Sequence, residues 1–475
     1  MATPIGANGA AVDARAVAEA TGGRVVRSTE GRVAHGVTTD SRAVVPGGAF
    51  VALRGEKHDA HAFVGAAIDA GAALVVVERG RATDDARADA VEVDDTLVAW
   101  GAIARAHLRA WRSANAAARV VAITGSAGKT TTKELCAALL RTVGECHATA
   151  GNLNNRVGVP AVVLELEARH RFAVIEVGMS LPGEIAALAG IVEPDVAVIT
   201  NVGLAHAGGV GGAIDDVARE KGALFEGVRP GGVCVANADD PAVVAQLARA
   251  PGSARVTSFG REGAAQYRLL DREPLGPEGS RVRIDRHGRD VVSVVLPIPG
   301  EAAAVDFAAA LAAADVATDD AIDPARALGS LAPIPGRMRV RRSGGLTVLD
   351  DAYNANPGSM RAALSTLAEC GDGRRVAVLG EMKELGPTAE REHAALADAV
   401  VAAGVALLVS CGGLADVLAR AVQSRGVEVV LAESAEQASR DVVARVRPGD
   451  VILVKASRSV GAERVVDALL AGEGR

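Results

Sequence analysis

"AITGSAGKTTTKE", residues 122 to 134, decides how the chain is read. The apolar run "RVVAIT" (119–124) meets a Gly-Ser-Ala-Gly turn. "TTKELCAALLRTVG" then sets Leu135, Ala138 and Leu139 at helical spacing, with Gly144 expected to stop the helix. Strand, glycine turn and helix in that order make a phosphate-binding loop. Around Gly125, Ser126, Ala127 and Gly128 the backbone N–H groups can approach phosphate oxygens. The helix N-terminus adds partial positive charge and Lys129 a full one. The Thr130 hydroxyl suits Mg²⁺, with Thr131 beside it. One position departs from the general pattern: its first glycine would stand at Ile123, and this chain carries Gly125 instead.

Around this loop the pattern is that of a parallel α/β domain. "RFAVIEVGM", "DVAVITNVG" and "GGVCVANADD" read as buried strands with helical stretches between them. "RVRIDRHGRDVVSVVL" (281–296) reads as a hairpin turning at His287-Gly288, followed by an alanine-rich helix near 302–314. "GGVGGA" (208–213) has the wrong spacing for a nucleotide fingerprint and reads as loop. Before residue 115, short strands (49–53, 73–77) mix with helical runs that close on "TLVAWGAIARAHLRAWRSA". Beyond the linker "LAPIPGRM" (331–338), strands "LTVLDD", "RRVAVLG", "ALLVSCG", "VEVVLAE" and "DVILVKAS" alternate with helices as a doubly wound, Rossmann-like sheet. No G-x-G-x-x-G opens it, so dinucleotide binding there has no support. The fold expected is α/β in three domains: 1–115, small and mixed; 116–333, a parallel-sheet phosphate-loop ATPase domain; and 334–475.

Bulk properties limit the function. At 475 residues the chain exceeds one hydrophobic core. Apolar residues at 49% and charged ones at 23% describe a globular protein. Only 2% are aromatic, which disfavours base-stacking surfaces, and a net charge of −7 disfavours DNA and anionic membranes. The five cysteines have no C-x-x-C pair, as in a reducing cytoplasm. No signal peptide or membrane span is visible, so a cytoplasmic protein is expected.

T-G-S-x-G-K-T-T-T resembles the phosphate loop of the Mur ligases, ATP-dependent enzymes that build the peptide stem of the bacterial cell wall. "TDSRAVVPGGAFVAL" (39–53), "GNLNNRVGVP" (151–160), "EVGMSLPGEI" (176–185), "TNVGLAH" (200–206), "AREKGALF" (218–225), "PGRM" (335–338) and "ILVKASRS" (452–459) also resemble family segments, in order along nearly the whole chain. Diaminopimelate- or lysine-adding members carry A-H-T-P where this chain has "DDAYNANPGSM" (350–360), and folylpolyglutamate synthetases carry A-H-N-P. Y-N-A-N-P, with "VLGEMKELG" (378–386), resembles the branch that joins D-alanyl-D-alanine to UDP-N-acetylmuramoyl-tripeptide.

The resemblance implies roles. ATP would drive amide formation through an acyl phosphate, giving the pentapeptide precursor of peptidoglycan. Lys129, Glu176, His206 and Lys221 would be catalytic, with two Mg²⁺ held by Thr130, Glu176, His206 and Lys221. An ammonium cannot ligate a cation, and the matching family lysine is carbamylated, which would make Lys221 an anion. Arg337 and Asp351 would join the loop in binding ATP. Ser41 and Arg42 would hold the uridine diphosphate end, with Asn152, Asn154 and Asn155 facing the muramoyl substrate. Tyr353, Asn356, Lys455, Ser457 and Arg458 would approach the substrates, and the three domains would close before chemistry. A monomer without nucleic-acid partners is expected. Two alternatives stay open: another Mur-type or folylpolyglutamate-type amide ligase, and a non-catalytic nucleotide-binding switch.

Two departures accompany the resemblance. His206-Ala207-Gly208 stands where the family has His-Leu-Glu. In "GEAAAVDF", Ala302 and Asp306 replace a histidine and an asparagine near the adenine. An ionised aspartate can only accept hydrogen bonds. Asp306 is therefore expected to cap the local backbone and leave the purine to Asp351 and main-chain groups.

Overall fold

Three large sheets organise the computed structural model, which describes residues 8–55, 58–205 and 207–471. The first runs in the order Arg24–Arg27, Asp89–Val93, Leu74–Glu78, Ala49–Val51, Val37–Thr38, parallel except at its first strand. The second has nine strands. Its parallel centre is Val233–Asn237, Val196–Ile199, Arg119–Thr124, Phe172–Glu176 and Cys146–Ala148. Val120 to Ile123 are fully buried, as a strand covered on both faces requires.

The expected hairpin joins Ser280–Arg286 to Val291–Leu296, with His287 and Gly288 both at positive φ (52° and 73°). Tyr267–Pro274 pairs with it as well, which carries the second sheet to its far edge. The third sheet is parallel from Leu346–Asp350 onward. Separate apolar clusters cover its two faces, as a doubly wound sheet demands. An unexpected strand, Arg339–Ser343, pairs antiparallel with Leu346–Asp350. Gly344 and Gly345 (φ 56° and 78°) make the tight turn between them.

Two sequence readings are corrected. The phosphate-loop helix spans Lys129–Leu140 and ends before Gly144, where the Thr142 hydroxyl donates to the Leu139 carbonyl at 2.6 Å and tightens the turn. The glycine-rich stretch read as loop includes a short 3₁₀ turn, Ala207–Gly209.

The helix Thr96–Ala114 starts at Asp95, whose carboxylate accepts from Leu97 and Val98 N–H at 2.7 and 3.0 Å. Its apolar face is buried against the second domain. Trp100 and Trp111 donate their indole N–H groups to the Val157 and His170 carbonyls at 2.9 and 3.1 Å. Gly101 allows the closest approach, since a Cβ there would lie 2.7 Å from Ile191 Cδ1. The second and third domains meet through Arg272, whose guanidinium grips Glu369 at 2.9 and 2.6 Å. Among the described residues no helix is long and apolar enough to cross a membrane. All five cysteines are free and buried.

Asp195 anchors the first joint. Its carboxylate accepts from Val120 N–H at 2.7 Å and from Arg112 and Arg229 at 3.0 and 3.1 Å. Asp195→Ala would remove the carboxylate partner of Arg112, whose charged form burial already disfavours, and leave it the Glu193 carbonyl at 2.7 Å. The expected cost is about 2–4 kcal/mol. Urea unfolding followed by tryptophan fluorescence reads this joint directly, because the only two tryptophans, Trp100 and Trp111, lie on its helix. A change below about 0.5 kcal/mol would contradict the role assigned to Asp195.

Candidate active site

The phosphate loop follows the strand Arg119–Thr124 and opens the helix at Lys129. Its two glycines are required by close approach. A Cβ on Gly125 would lie 1.8 Å from Thr200 Oγ1, and one on Gly128 2.2 Å from Asp306 Oδ1. Gly128 also holds φ at 81°, a conformation that glycine takes without strain. This explains the displaced glycine: position 125 presses on Thr200, just past the end of the next parallel strand, whereas Ile123 is buried inside its own strand.

Residues absent from the sequence-based list brace the loop. Thr200 donates to the Ala127 carbonyl at 2.6 Å. The Asn201 carboxamide accepts from Ala127 N–H at 2.9 Å and donates to Ala127 O at 3.1 Å. Both follow the strand Val196–Ile199, at the carboxyl end where parallel sheets place their sites. Their signal was the polar "TN" closing an apolar run.

Thr130, Glu176 and Asn154 form one chain of contacts. Thr130 donates to one Glu176 carboxylate oxygen at 2.9 Å, and Asn154 to the other at 2.8 Å. Lys129 is half-buried, with its ammonium on the Gly125 carbonyl at 2.8 Å. Burial lowers its pKa and Arg337 adds to that, while Glu176 opposes both. Lys221, 1% exposed on the helix Ile214–Glu226, is pulled well below the ordinary lysine pKa by burial. The charge of Lys129 reinforces this. His206 lies outside the described residues.

The third domain reaches into the same place. Asn356 caps the helix Pro357–Glu369 and donates across the domain boundary to Ser126 O at 3.1 Å. Arg337 points to Thr130 Oγ1 at 3.3 Å and lies over the Tyr353 ring at 4.4 Å. Arg458 covers the same ring at 5.0 Å. Lys455 meets Asp351 at 2.6 Å and the Asn354 carbonyl at 2.9 Å. Ser457 accepts from Lys383 N–H at 2.8 Å, which ties "VLGEMKELG" to "ILVKASRS". Between the domains lies a cavity of about 400 Å³, lined on one side by the loop and Thr131, on the other by Asp351, Asn356 and Lys455.

Ser41, Arg42, Asn152 and Asn155 are not among the residues that line this cavity. Arg42, 88% exposed in its side chain, grips Asp40 at 2.9 and 2.7 Å on the first domain. Ser41 begins the turn beside it. Asn152 is exposed. The carboxamide oxygen of Asn155 is occupied by Val157 and Gly158 N–H at 3.1 and 2.8 Å. Asp306 does not cap a backbone: it lies in the second turn of the helix Glu301–Ala317, with its carboxyl against Gly128.

The Lys455–Asp351 pair is buried, so either group alone is costly. Lys455→Met is expected to destabilise the third domain by about 3–5 kcal/mol. The double variant with Asp351→Asn should cost less than the two single changes added. Hydrogen exchange in the strand Val451–Lys455 reads the effect, and strict additivity would contradict the pairing.

Three family models cover the chain in succession: the Mur ligase family catalytic domain (residues 33–122), the Mur ligase middle domain (123–314) and the Mur ligase glutamate ligase domain (336–458). A UDP-N-acetylmuramoyl-tripeptide–D-alanyl-D-alanine ligase of Escherichia coli strain K12 is 37% identical over 91% of this chain and 93% of that protein. The ligase of the same name from Bacillus subtilis strain 168 is 32% identical over 93% and 94%. The crystal structure of MurF from Acinetobacter baumannii superposes with a TM-score of 0.88 at 30% identity, covering 97% of this chain and 99% of that one. MurF ligase from Thermotoga maritima, in complex with ADP, has a TM-score of 0.80 at 28% identity over 92% and 97%. The chain belongs to the Mur ligase family.

Proposed function

We propose that the protein uses ATP to join D-alanyl-D-alanine to the terminal carboxylate of UDP-N-acetylmuramoyl-tripeptide, releasing ADP and phosphate. One observation carries this reading. The Y-N-A-N-P segment of the third domain contacts the phosphate loop through Asn356. The motif that resembles the D-alanyl-D-alanine-adding branch thus touches the loop that would hold ATP. The names of the relatives support the same substrates.

The chemical problem is to bring two anions together. The loop amides and Lys129 would hold the triphosphate, with Arg337 beside Thr130 offsetting charge on the transferring phosphoryl group. The substrate carboxylate would attack that group, and the acyl phosphate formed would pass its acyl carbon to the dipeptide amine as phosphate leaves. Asn356 and Arg337 close the third domain over the loop, which would keep water from the acyl phosphate.

Mg²⁺ would supply charge neutralisation at the phosphates. Thr130 and Glu176 fit the first ion, since two hard oxygens meet there within 2.9 Å. Among the described residues no group of three or more His, Cys, Asp or Glu could hold a metal. A second ion at Glu176 and His206 would therefore depend on modified Lys221. The surroundings of Lys221 favour that change. Burial disfavours its charged form, the neutral amine could add CO₂ and lose a proton, and the carbamate would attract Lys129 where an ammonium would repel it.

Turnover assays test the reading. ADP release should require both the nucleotide-tripeptide and D-alanyl-D-alanine, with little activity on free diaminopimelate, lysine or glutamate. Preference for a free amino acid would assign the chain to another amide ligase. Nucleotide turnover indifferent to both substrates would indicate a switch. In the same assay Lys221→Ala should lose nearly all turnover and regain part of it with short-chain carboxylic acids. Full activity without additive would rule out the carbamate.

A further inference from the structure

Asp306 is a buried acid in a place where an anion is out of keeping. It is 9% exposed, and its carboxyl fills the space a side chain at Gly128 would take, at the first turn of the phosphate-loop helix. It also lines the cavity between the domains. Beyond it, Ala302 stands one turn earlier on the same face of Glu301–Ala317, and Ile298, Pro299 and Ala362 add apolar lining to the cavity. Asp306 thus stands where the phosphate end of the cavity meets its apolar end.

The charged groups around it do not neutralise it. Among the described residues none forms an ion pair with Asp306. From the loop, Lys129 is turned to the Gly125 carbonyl. From the interdomain segment, Arg337 is directed to Thr130 and Tyr353. From the third sheet, Lys455 and Asp351 are paired with each other. On its own helix, Glu301 and Asp315 are held by Arg261 and Arg286. The helix Pro357–Glu369 presents Ser359 and Thr366, which carry no charge. A helix N-terminus would by itself favour a carboxylate. Burial outweighs it and pushes Asp306 up to about 8, with Thr132 and Arg337 only partly offsetting.

We propose that Asp306 is a nucleotide-contacting residue that binds ATP as an uncharged carboxylic acid, so that ionisation of this one side chain weakens the nucleotide. The inference rests on the ATP site proposed above. A neutral carboxyl both donates and accepts hydrogen bonds, whereas the carboxylate only accepts and repels the phosphates. The neutral fraction falls as pH rises through about 8, so affinity is lost in that direction. By linkage, ATP binding above this pH draws one proton from solvent onto Asp306.

Calorimetric titration of the full-length protein with ATP, from pH 6.5 to 9.5 in buffers of different ionisation heat, tests this. Wild type should weaken about tenfold more than Asp306→Asn between pH 7 and pH 9. It should take up a proton on binding near pH 9, and the variant should not. Any slope shared by both proteins arises from groups other than Asp306. Infrared difference spectra should show a protonated-carboxyl band at pH 7 in wild type that is missing from the variant. Parallel affinity profiles with equal proton uptake would overturn the proposal. So would a tenfold tightening by Asp306→Asn at pH 7, which would reveal a charged carboxylate facing the nucleotide. Absence of ATP binding by both proteins would overturn the nucleotide site and this inference together.

Discussion

Arg337 touches both halves of the site. Its guanidinium lies 3.3 Å from Thr130 Oγ1 on the second domain and 4.4 Å over the Tyr353 ring of the third. A planar cation can make a hydrogen bond at its edge and a stacking contact on its face at the same time, and lysine cannot. With Asn356 on Ser126 O, this contact sets the third domain over the phosphate loop. The cavity and the positions of Asp351 and Lys455 against the loop depend on that placement.

Lysines set the electrostatics. Burial lowers the pKa of Lys129, Lys221 and Lys455 alike, but the three are balanced differently. Lys455 has Asp351, and Lys129 has Glu176 nearby and a carbonyl to bond. Lys221 feels the charge of Lys129, with Glu220 opposing it. Asp306 shows the converse effect: burial drives an acid toward its neutral form.

What could be read from the sequence was what local chemistry dictates. The strand, glycine turn and helix at 119–140 follow from an apolar run and two glycines, and the structure keeps all three. Lys129, Thr130, Glu176 and Arg337 were legible by their motifs, and the structure brings them together. Asp306 was misplaced because its role depends on where one helix lies against a loop far away in sequence. The basic strand Arg339–Ser343 escaped notice because its residues are half exposed and carry no apolar alternation. Thr200 and Asn201 look like ordinary loop residues until the neighbouring strand brings the loop beside them.

In the proposed reaction a carboxylate oxygen of the peptide becomes a phosphate oxygen. The nucleotide-tripeptide can be made with ¹⁸O in its terminal carboxylate and turned over with ATP and D-alanyl-D-alanine, and the released phosphate then analysed by mass spectrometry. The acyl-phosphate route predicts one labelled oxygen in each phosphate released. Phosphate without label, formed at the rate of the amide product, would contradict it.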